Sequence, residues 1–93
     1  MHVEVVRRGG IAGVALSATF ETGDLATDDR ALVEAALGAL PFGRAPDPPT
    51  HPDTFSYDIT VHDGSTVRTA TLGEAQLPPE LHDVVAAAVR RQA

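Results

Sequence analysis

Two runs of alternating apolar and polar residues open the chain, at 2–8 and 11–21, with Gly9-Gly10 between them. A period of two is typical of β-strands, and a glycine pair tolerates the positive φ angles of a tight hairpin turn. A two-residue turn would place Val5 opposite Val14. One face of this hairpin then collects the apolar side chains, namely Val3, Val5, Val14, Leu16, Ala18 and Phe20.

A helix is predicted from Thr27, whose hydroxyl can cap the first turn. Asp28 and Asp29 follow in that turn, where negative charge interacts favourably with the helix dipole. Apolar residues then recur at helical spacing and form one stripe, which would face the core: Leu32, Val33, Ala36, Leu37 and Leu40. Pro41 would end the helix because proline cannot donate a backbone hydrogen bond.

The segment 43–53 contains four prolines and few residues to bury, so an extended loop is predicted there. Residues 55–62 alternate strictly between apolar and polar side chains, which is the clearest strand pattern in the chain. Asp63-Gly64 predicts a turn into a fourth strand. A three-residue connection would place Val61 opposite Val67, with their apolar side chains on a shared face.

The segment 77–80, Leu-Pro-Pro-Glu, predicts the start of a last helix, since proline needs no donor in a first turn. An apolar face follows at helical spacing: Leu81, Val84, Val85, Ala88 and Val89. The predicted order is therefore ββαββα. It indicates an α+β fold in which helices cover one face of a four-stranded, mostly antiparallel sheet. At this length, residues 1–93 are expected to form a single domain.

Acidic residues outnumber basic ones, 13 to seven, and the net charge is −6. This balance argues against a nucleic-acid partner, because phosphate backbones are bound by clustered lysine and arginine. No apolar run reaches the length of a membrane-spanning helix, so no membrane partner is expected. The first residues lack a basic flank followed by an apolar run, so a cytoplasmic location without a signal peptide is expected.

The chain shows no pattern typical of catalysis or of metal binding. Its four histidines lie in separate predicted elements, without the spacing that places two imidazoles on one helical face. There is no cysteine, and no serine sits in a glycine-flanked nucleophile motif. We therefore predict no catalytic residues, no metal and no cofactor, and we expect a protein that is not an enzyme.

The glycine-rich segment 9–13 precedes a strand rather than a helix, so it lacks the helix dipole of a phosphate-binding loop. It would instead form the tip of the first hairpin. In the predicted register Ile11 lies on the face opposite Val14, where its side chain could be exposed to a partner. The alternative is that Ile11 folds over a sheet edge or a helix end.

Four features in this order resemble the emfourin family of bacterial protein inhibitors of thermolysin-like metallopeptidases. They are the opening strand that runs into the glycine-rich segment, the segment Asp53-Thr54-Phe55-Ser56-Tyr57 that runs into Ile59-Thr60-Val61, the Asp63-Gly64 turn, and Leu77-Pro78-Pro79-Glu80-Leu81. The resemblance spans almost the whole chain. It implies an inhibitor of a thermolysin- or protealysin-type peptidase, and we expect the inhibitor to act by inserting a loop into the substrate cleft.

A protein inhibitor needs a stable scaffold with projecting loops, and the hairpin tip and the proline-rich loop are both candidates. The candidate inhibitory residues are Gly9, Gly10, Ile11, Ala12 and Gly13. The expected partner is a thermolysin-like metallopeptidase, and the free chain is expected to be a monomer. Two alternatives stay open. One is a non-inhibitory interaction module or a homodimer paired through a sheet edge, and the other is a small-molecule or enzymatic domain, which would need a concave polar pocket.

Overall fold

The computed structural model describes residues 1–9, 15–43 and 55–92, except the side chain of Gln92. The four strands are β1 (His2–Gly9), β2 (Leu16–Glu21), β3 (Phe55–Asp63) and β4 (Thr66–Gly73), and the two α-helices are α1 (Thr27–Gly38) and α2 (Pro79–Gln92). Short 3-10 turns at Thr22–Asp24 and Glu74–Gln76 follow β2 and β4. The predicted order ββαββα is confirmed. In the described ranges, no helix has the length and apolar character needed to cross a membrane.

The four strands form one sheet in the order β2-β1-β3-β4, and every neighbouring pair is antiparallel. The first strand of the chain is thus a central strand, hydrogen-bonded on both sides. The chain leaves β2 at one edge, crosses the sheet through α1 and the following connection, and returns as β3 beside β1. Strands β2 and β4 form the two outer edges.

Both helices pack on the same face of the sheet, as predicted. The side chains of Val3, Val5, Ile59 and Leu72 on that face are fully buried. The opposite face carries the alternate residues and is polar, with partly exposed side chains such as that of Thr60. The core between sheet and helices also contains Ala18, Phe20, Val33, Leu37, Leu40, Tyr57, Val61, Ala70, Leu77, Leu81, Val85, Ala88 and Val89.

The predicted register of the first hairpin is wrong. Val5 pairs with Ala18 rather than with Val14, which is a shift of four residues along β2. Because the shift is an even number, the predicted side chains that the structure describes still face the core, namely Val3, Val5, Leu16, Ala18 and Phe20, whereas Val14 lies outside the described residues. A two-residue turn would have left residues 18–21 without partners on β1, whereas the observed register pairs all six residues of β2. The cost is a longer connection, which includes residues 10–14 outside the described ranges.

The predicted register of the second hairpin is also wrong. Asp63 pairs with Thr66, so the connection has two residues, Gly64 and Ser65, and Gly64 has a φ of 61°. Moving from three residues to two shifts the register by one and exchanges the faces of β4. As a result Ala70 and Leu72 face the core, and Val67 is 57% exposed on the opposite face.

Helix α1 differs from its predicted form at both ends. Thr27 is its first helical residue rather than its cap, and Ala26 occupies the cap position without a side-chain hydrogen bond. The helix ends at Gly38, three residues before Pro41, so Leu40 enters the core from the turn that follows. The predicted apolar stripe is incomplete because Leu32 is 59% exposed. Helix α2 buries its predicted face, with Val84 only partly covered.

Two cation–π contacts hold the ends of the connection between α1 and β3. The guanidinium group of Arg68 on β4 lies 4.5 Å from the centre of the Phe42 ring. That of Arg7 on β1 lies 4.4 Å from the centre of the Phe55 ring. Each contact adds an electrostatic attraction to the packing of an aromatic ring. The two phenylalanines are thereby fixed on the sheet before and after the segment 44–54, which lies outside the described residues.

Thr22 joins the end of β2 to helix α1. It is fully buried, its backbone N–H donates to the carbonyl of Met1 at 3.0 Å, and its hydroxyl donates to Oε2 of Glu34 at 2.6 Å. This hydroxyl is the main cause that holds the pKa of Glu34 below the ordinary value of 4.5, against the effect of partial burial, with a smaller contribution from Arg30. A hydrogen bond to the ionised carboxylate stabilises that form.

The observed register of the second hairpin predicts unequal effects of an introduced carboxylate. Ala70→Asp should lower the free energy of unfolding by about 3 kcal/mol or more, because the charge would be buried without a partner. Val67→Asp, on the exposed face, should change it by about 1 kcal/mol or less. Urea unfolding of both variants measures the difference. A larger loss of unfolding free energy for Val67→Asp than for Ala70→Asp would support the three-residue register instead.

The Thr22–Glu34 hydrogen bond predicts a pH dependence. The folded-state pKa of Glu34 is lowered, so its contribution to stability is present above the unfolded value of 4.5 and is lost as the pH falls through the folded pKa. In Thr22→Val the pKa of Glu34 should move up toward 4.5. NMR titration of the Glu34 carboxyl carbon tests this directly. Identical titration curves in parent and variant would show that the hydroxyl has no such effect.

Candidate protein-binding site at the loop end of the sheet

Three connecting segments adjoin the same end of the sheet. Gly9, the last residue of β1, pairs with Phe55, the first residue of β3, and Gly73 at the end of β4 pairs with Ser56. The connection after Gly9, the connection before Phe55 and the turn at Glu74–Gln76 therefore meet the sheet side by side. We call this region the loop end. Both segments predicted to project toward a partner are attached to it.

Gly9 marks the point at which the chain leaves the sheet toward β2. Its φ of 93° lies in the region that side chains with a Cβ disfavour, so a glycine is suited to this position. The other four candidate residues, Gly10, Ile11, Ala12 and Gly13, lie outside the described residues, as does the segment 44–54. Their predicted role in binding stays a prediction.

The predicted place of Ile11 on the face opposite Val14 depends on a hairpin register that the structure does not have. Arg7 and Leu16 are the last paired residues of the hairpin, so residues 8–15 connect them. By position along the chain, Ile11 and Ala12 are the two middle residues of this connection. In the observed register Ile11 thus has a central position in the sequence of a long connection, and its contact with a partner stays a prediction.

The described side chains at the loop end form a fixed frame. Besides the Arg7–Phe55 contact, the guanidinium group of Arg8 lies 2.9 Å from Oδ2 of Asp58 on the polar face. The other carboxylate oxygen of Asp58 accepts a hydrogen bond of 2.8 Å from the hydroxyl of Thr71. These contacts join β1, β3 and β4 at the level where β1 ends. The last residues of β1 are therefore held from both faces of the sheet.

Among the described ionisable residues at the loop end, only Tyr57 has its side chain in the core. Burial raises the pKa of its phenol above 10.0, with Arg7 acting in the opposite direction and Glu74 adding to the increase. The phenol is thus neutral at physiological pH. A general base needs a pKa near the working pH, which this group does not have. The frame positions neighbouring segments and offers no acid–base chemistry at this residue.

The histidines lie in separate predicted elements, but the structure brings two of them together. His2 pairs with His62 across β1 and β3, and their ring centres are 5.5 Å apart on the polar face. Nε2 of each ring lies near the carboxylate of Glu4, at 3.7 Å and 3.6 Å, and Nδ1 of His2 is hydrogen-bonded to Glu21. Only the correct pairing of β1 with β3 could have revealed this cluster.

The remaining described histidine, His82, is hydrogen-bonded through Nε2 to the carbonyl of Leu77 at 2.9 Å, so it supports the start of α2. His51 lies outside the described ranges. Within the part of the chain that the structure describes, no group of three or more histidine, aspartate or glutamate residues is arranged to hold a metal ion. No described histidine is hydrogen-bonded to a serine hydroxyl, as a hydrolytic triad would require.

A cleft of about 750 Å³ lies between α1, α2 and the edge strand β2. His2 and Glu21 line it, so it lies toward the start of β1, at the opposite end of that strand from Gly9. Its polar groups are mostly carboxylates. A lining dominated by carboxylates differs from a catalytic site, in which a base, a nucleophile and a hydrogen-bond donor converge on one point. The cleft is thus a surface feature separate from the loop end.

Comparison with known proteins agrees with the resemblance found in the sequence. A family model described as Emfourin matches residues 5–88, which includes β2, β3, β4 and α1 entirely and most of β1 and α2. No curated protein and no solved structure matches the chain. The match covers far more than half of the 93 residues. This chain therefore belongs to the Emfourin family.

Proposed function

We propose that this protein inhibits zinc metallopeptidases of the thermolysin and protealysin type by inserting a loop into the substrate cleft. The observation that carries the proposal is membership of the Emfourin family over residues 5–88, since this is a family of inhibitors and implies a peptidase as partner. The inserted segment is residues 9–13, with Ile11 as its apolar contact. The protein itself is not an enzyme.

The frame at the loop end supports this mechanism. An inhibitory loop binds more tightly when its ends are already ordered, because less conformational entropy is lost on binding. Here Arg7 and Arg8 precede the segment and are both held by side chains of β3, and Leu16 follows it in a paired strand. Loops positioned by a rigid scaffold commonly carry binding function.

The other expected properties accompany this proposal. We propose that residues 1–93 act as a single domain, that the free chain is a monomer in the cytoplasm, and that no metal or cofactor takes part. One observation is compatible with the alternative of a homodimer. In the described sheet, β2 and β4 each have an edge without a partner strand. Exposed edges of this kind can pair with a second chain. Sedimentation of the free protein distinguishes the two states.

Inhibition should be specific to the thermolysin class of peptidases. Titrating the purified protein against a panel of such enzymes, with a serine peptidase as control, should abolish only the activity of the former. The effect should persist when zinc is added in excess, because occupation of the cleft does not require removal of the catalytic zinc. Full activity of every panel member at micromolar inhibitor would contradict the proposal, and rescue by zinc would show that the protein acts as a chelator.

Ile11→Ala should weaken inhibition about tenfold to a hundredfold, because burial of an isoleucine side chain is worth roughly 1.5 to 3 kcal/mol. The melting temperature should hardly change if Ile11 contacts the peptidase rather than its own core. Ile11→Asp should weaken inhibition further, since its carboxylate would be desolvated without a partner.

The matched control is Val67→Ala, which shortens an exposed aliphatic side chain on the polar face of β4. It should leave both inhibition and thermal stability unchanged. If Ile11 belongs to the core instead, both of its substitutions will lower the melting temperature before they affect inhibition. A folded Ile11→Asp variant that inhibits like the parent would remove this residue from the interface.

A further inference from the structure

The cleft between α1, α2 and β2 combines an apolar floor with an acidic rim, and we call it the acidic groove. Its apolar surface comes from Phe20, Leu25, Leu32, Val33, Val84 and Ala87. Its carboxylates are Glu21, Asp24, Asp29, Glu80 and Asp83, five of the 13 acidic residues in the chain. Arg91 is the one arginine or lysine among the residues that line it.

Leu32 is the feature of this groove that the fold does not explain. It belongs to the apolar stripe predicted for α1, and a chain of this size needs nearly all such residues for its core. Its side chain is nevertheless 59% exposed. Leu32 and Val67 are the two large apolar residues that are exposed in the described ranges. Departures from a consistent apolar pattern are expected at functional positions. Leu32 projects into a groove, where a partner could cover it.

The carboxylates are also only partly explained by the fold. Asp29 and Glu80 lie in the first turns of α1 and α2, where the helix dipole favours negative charge. Glu21 is hydrogen-bonded to His2. Asp24 and Asp83 lie in no α-helical first turn, and in the described part of the chain neither side chain makes an ion pair or a hydrogen bond. Like charges arranged around one groove repel one another, and a cationic partner would relieve that repulsion.

We propose that the acidic groove binds a segment of a partner protein in which a bulky aliphatic side chain is flanked by lysine or arginine. The aliphatic side chain contacts Leu32 and the apolar floor, and the cations face Asp24 in the turn after β2 and Asp83 on α2. The volume of about 750 Å³ lies in the range of clefts that accept ligands, roughly 300 to 1,000 Å³. The carboxylates are spread over α1, α2 and the end of β2, which suits charges distributed along a peptide better than one small cation.

This surface is distinct from the loop end, since the two lie at opposite ends of β1. The groove can therefore be tested without any peptidase, and a failure of the inhibitor proposal leaves this one standing. The probe is a short fluorescein-labelled peptide that contains leucine flanked by lysines, titrated with the complete protein. Two control peptides replace either the lysines by glutamates or the leucines by serines. Fluorescence anisotropy reports binding.

The parent protein should bind the probe saturably, with a Kd on the order of micromolar, and neither control peptide should bind comparably. Leu32→Ser should weaken binding about tenfold, whereas Val67→Ser, which changes the other exposed apolar residue, should have no effect. Asp24→Asn combined with Asp83→Asn should weaken it about threefold to tenfold and reduce its salt dependence. The control double variant Asp63→Asn with Glu74→Gln removes the same amount of charge outside the groove. It should leave the affinity for the probe unchanged. Circular dichroism verifies that each variant is folded.

Several results would overturn the proposal. These are no saturable binding by the parent, equal binding of the serine control peptide, or equal weakening by the groove variants and their controls. Equal binding of the serine peptide would indicate attraction between charges alone. Sedimentation provides the remaining test. If the parent forms a dimer that Leu32→Ser dissociates, the groove is occupied by a second copy of this chain, and the proposed partner is wrong.

Discussion

The pairing of β1 on both of its edges is the constraint on which the rest of the structure depends. Val3 and Val5 are fully buried because strands lie on either side of β1 and helices lie above it. With β2 on one edge of β1, β3 pairs with the other edge, so the chain crosses the sheet between β2 and β3. Helix α1 lies in that crossing. One face of the sheet is exposed to solvent because both helices pack on the other face.

The general architecture was predictable because it follows from patterns within single segments. The strict alternation of residues 55–62 and the helical spacing from Leu81 to Val89 each specify an element and its buried face. The predicted face of the first hairpin was also correct, since the error in register was an even number of residues. Local patterns thus identified the elements and most of the core without information about which strands pair.

The predictions differ from the structure where strand register and side-chain burial depend on contacts between segments. The apolar character of Val67 predicts a three-residue connection after β3, but the face of β4 is decided by Ala70 and Leu72, which pack beneath the helices. Leu32 fits the helical stripe yet lies over a groove, and the proximity of His2 to His62 follows only from the sheet order. For the candidate loop, the sequence identifies the glycines, and the structure supplies the frame that holds its ends. The central position of Ile11 between Arg7 and Leu16 follows only from the observed register.

The two cation–π contacts also bear on how such a protein can change over evolutionary time. Phe42 is held by Arg68 and Phe55 by Arg7, so both ends of the eleven-residue segment 44–54 are anchored to the sheet independently of its own sequence. The entropy of closing a loop grows only with the logarithm of its length, and doubling the segment would cost about 0.6 kcal/mol. Insertions and substitutions there should therefore leave the register and the core intact. The segment beside the candidate site is thus expected to vary in length and composition during evolution while the scaffold is retained.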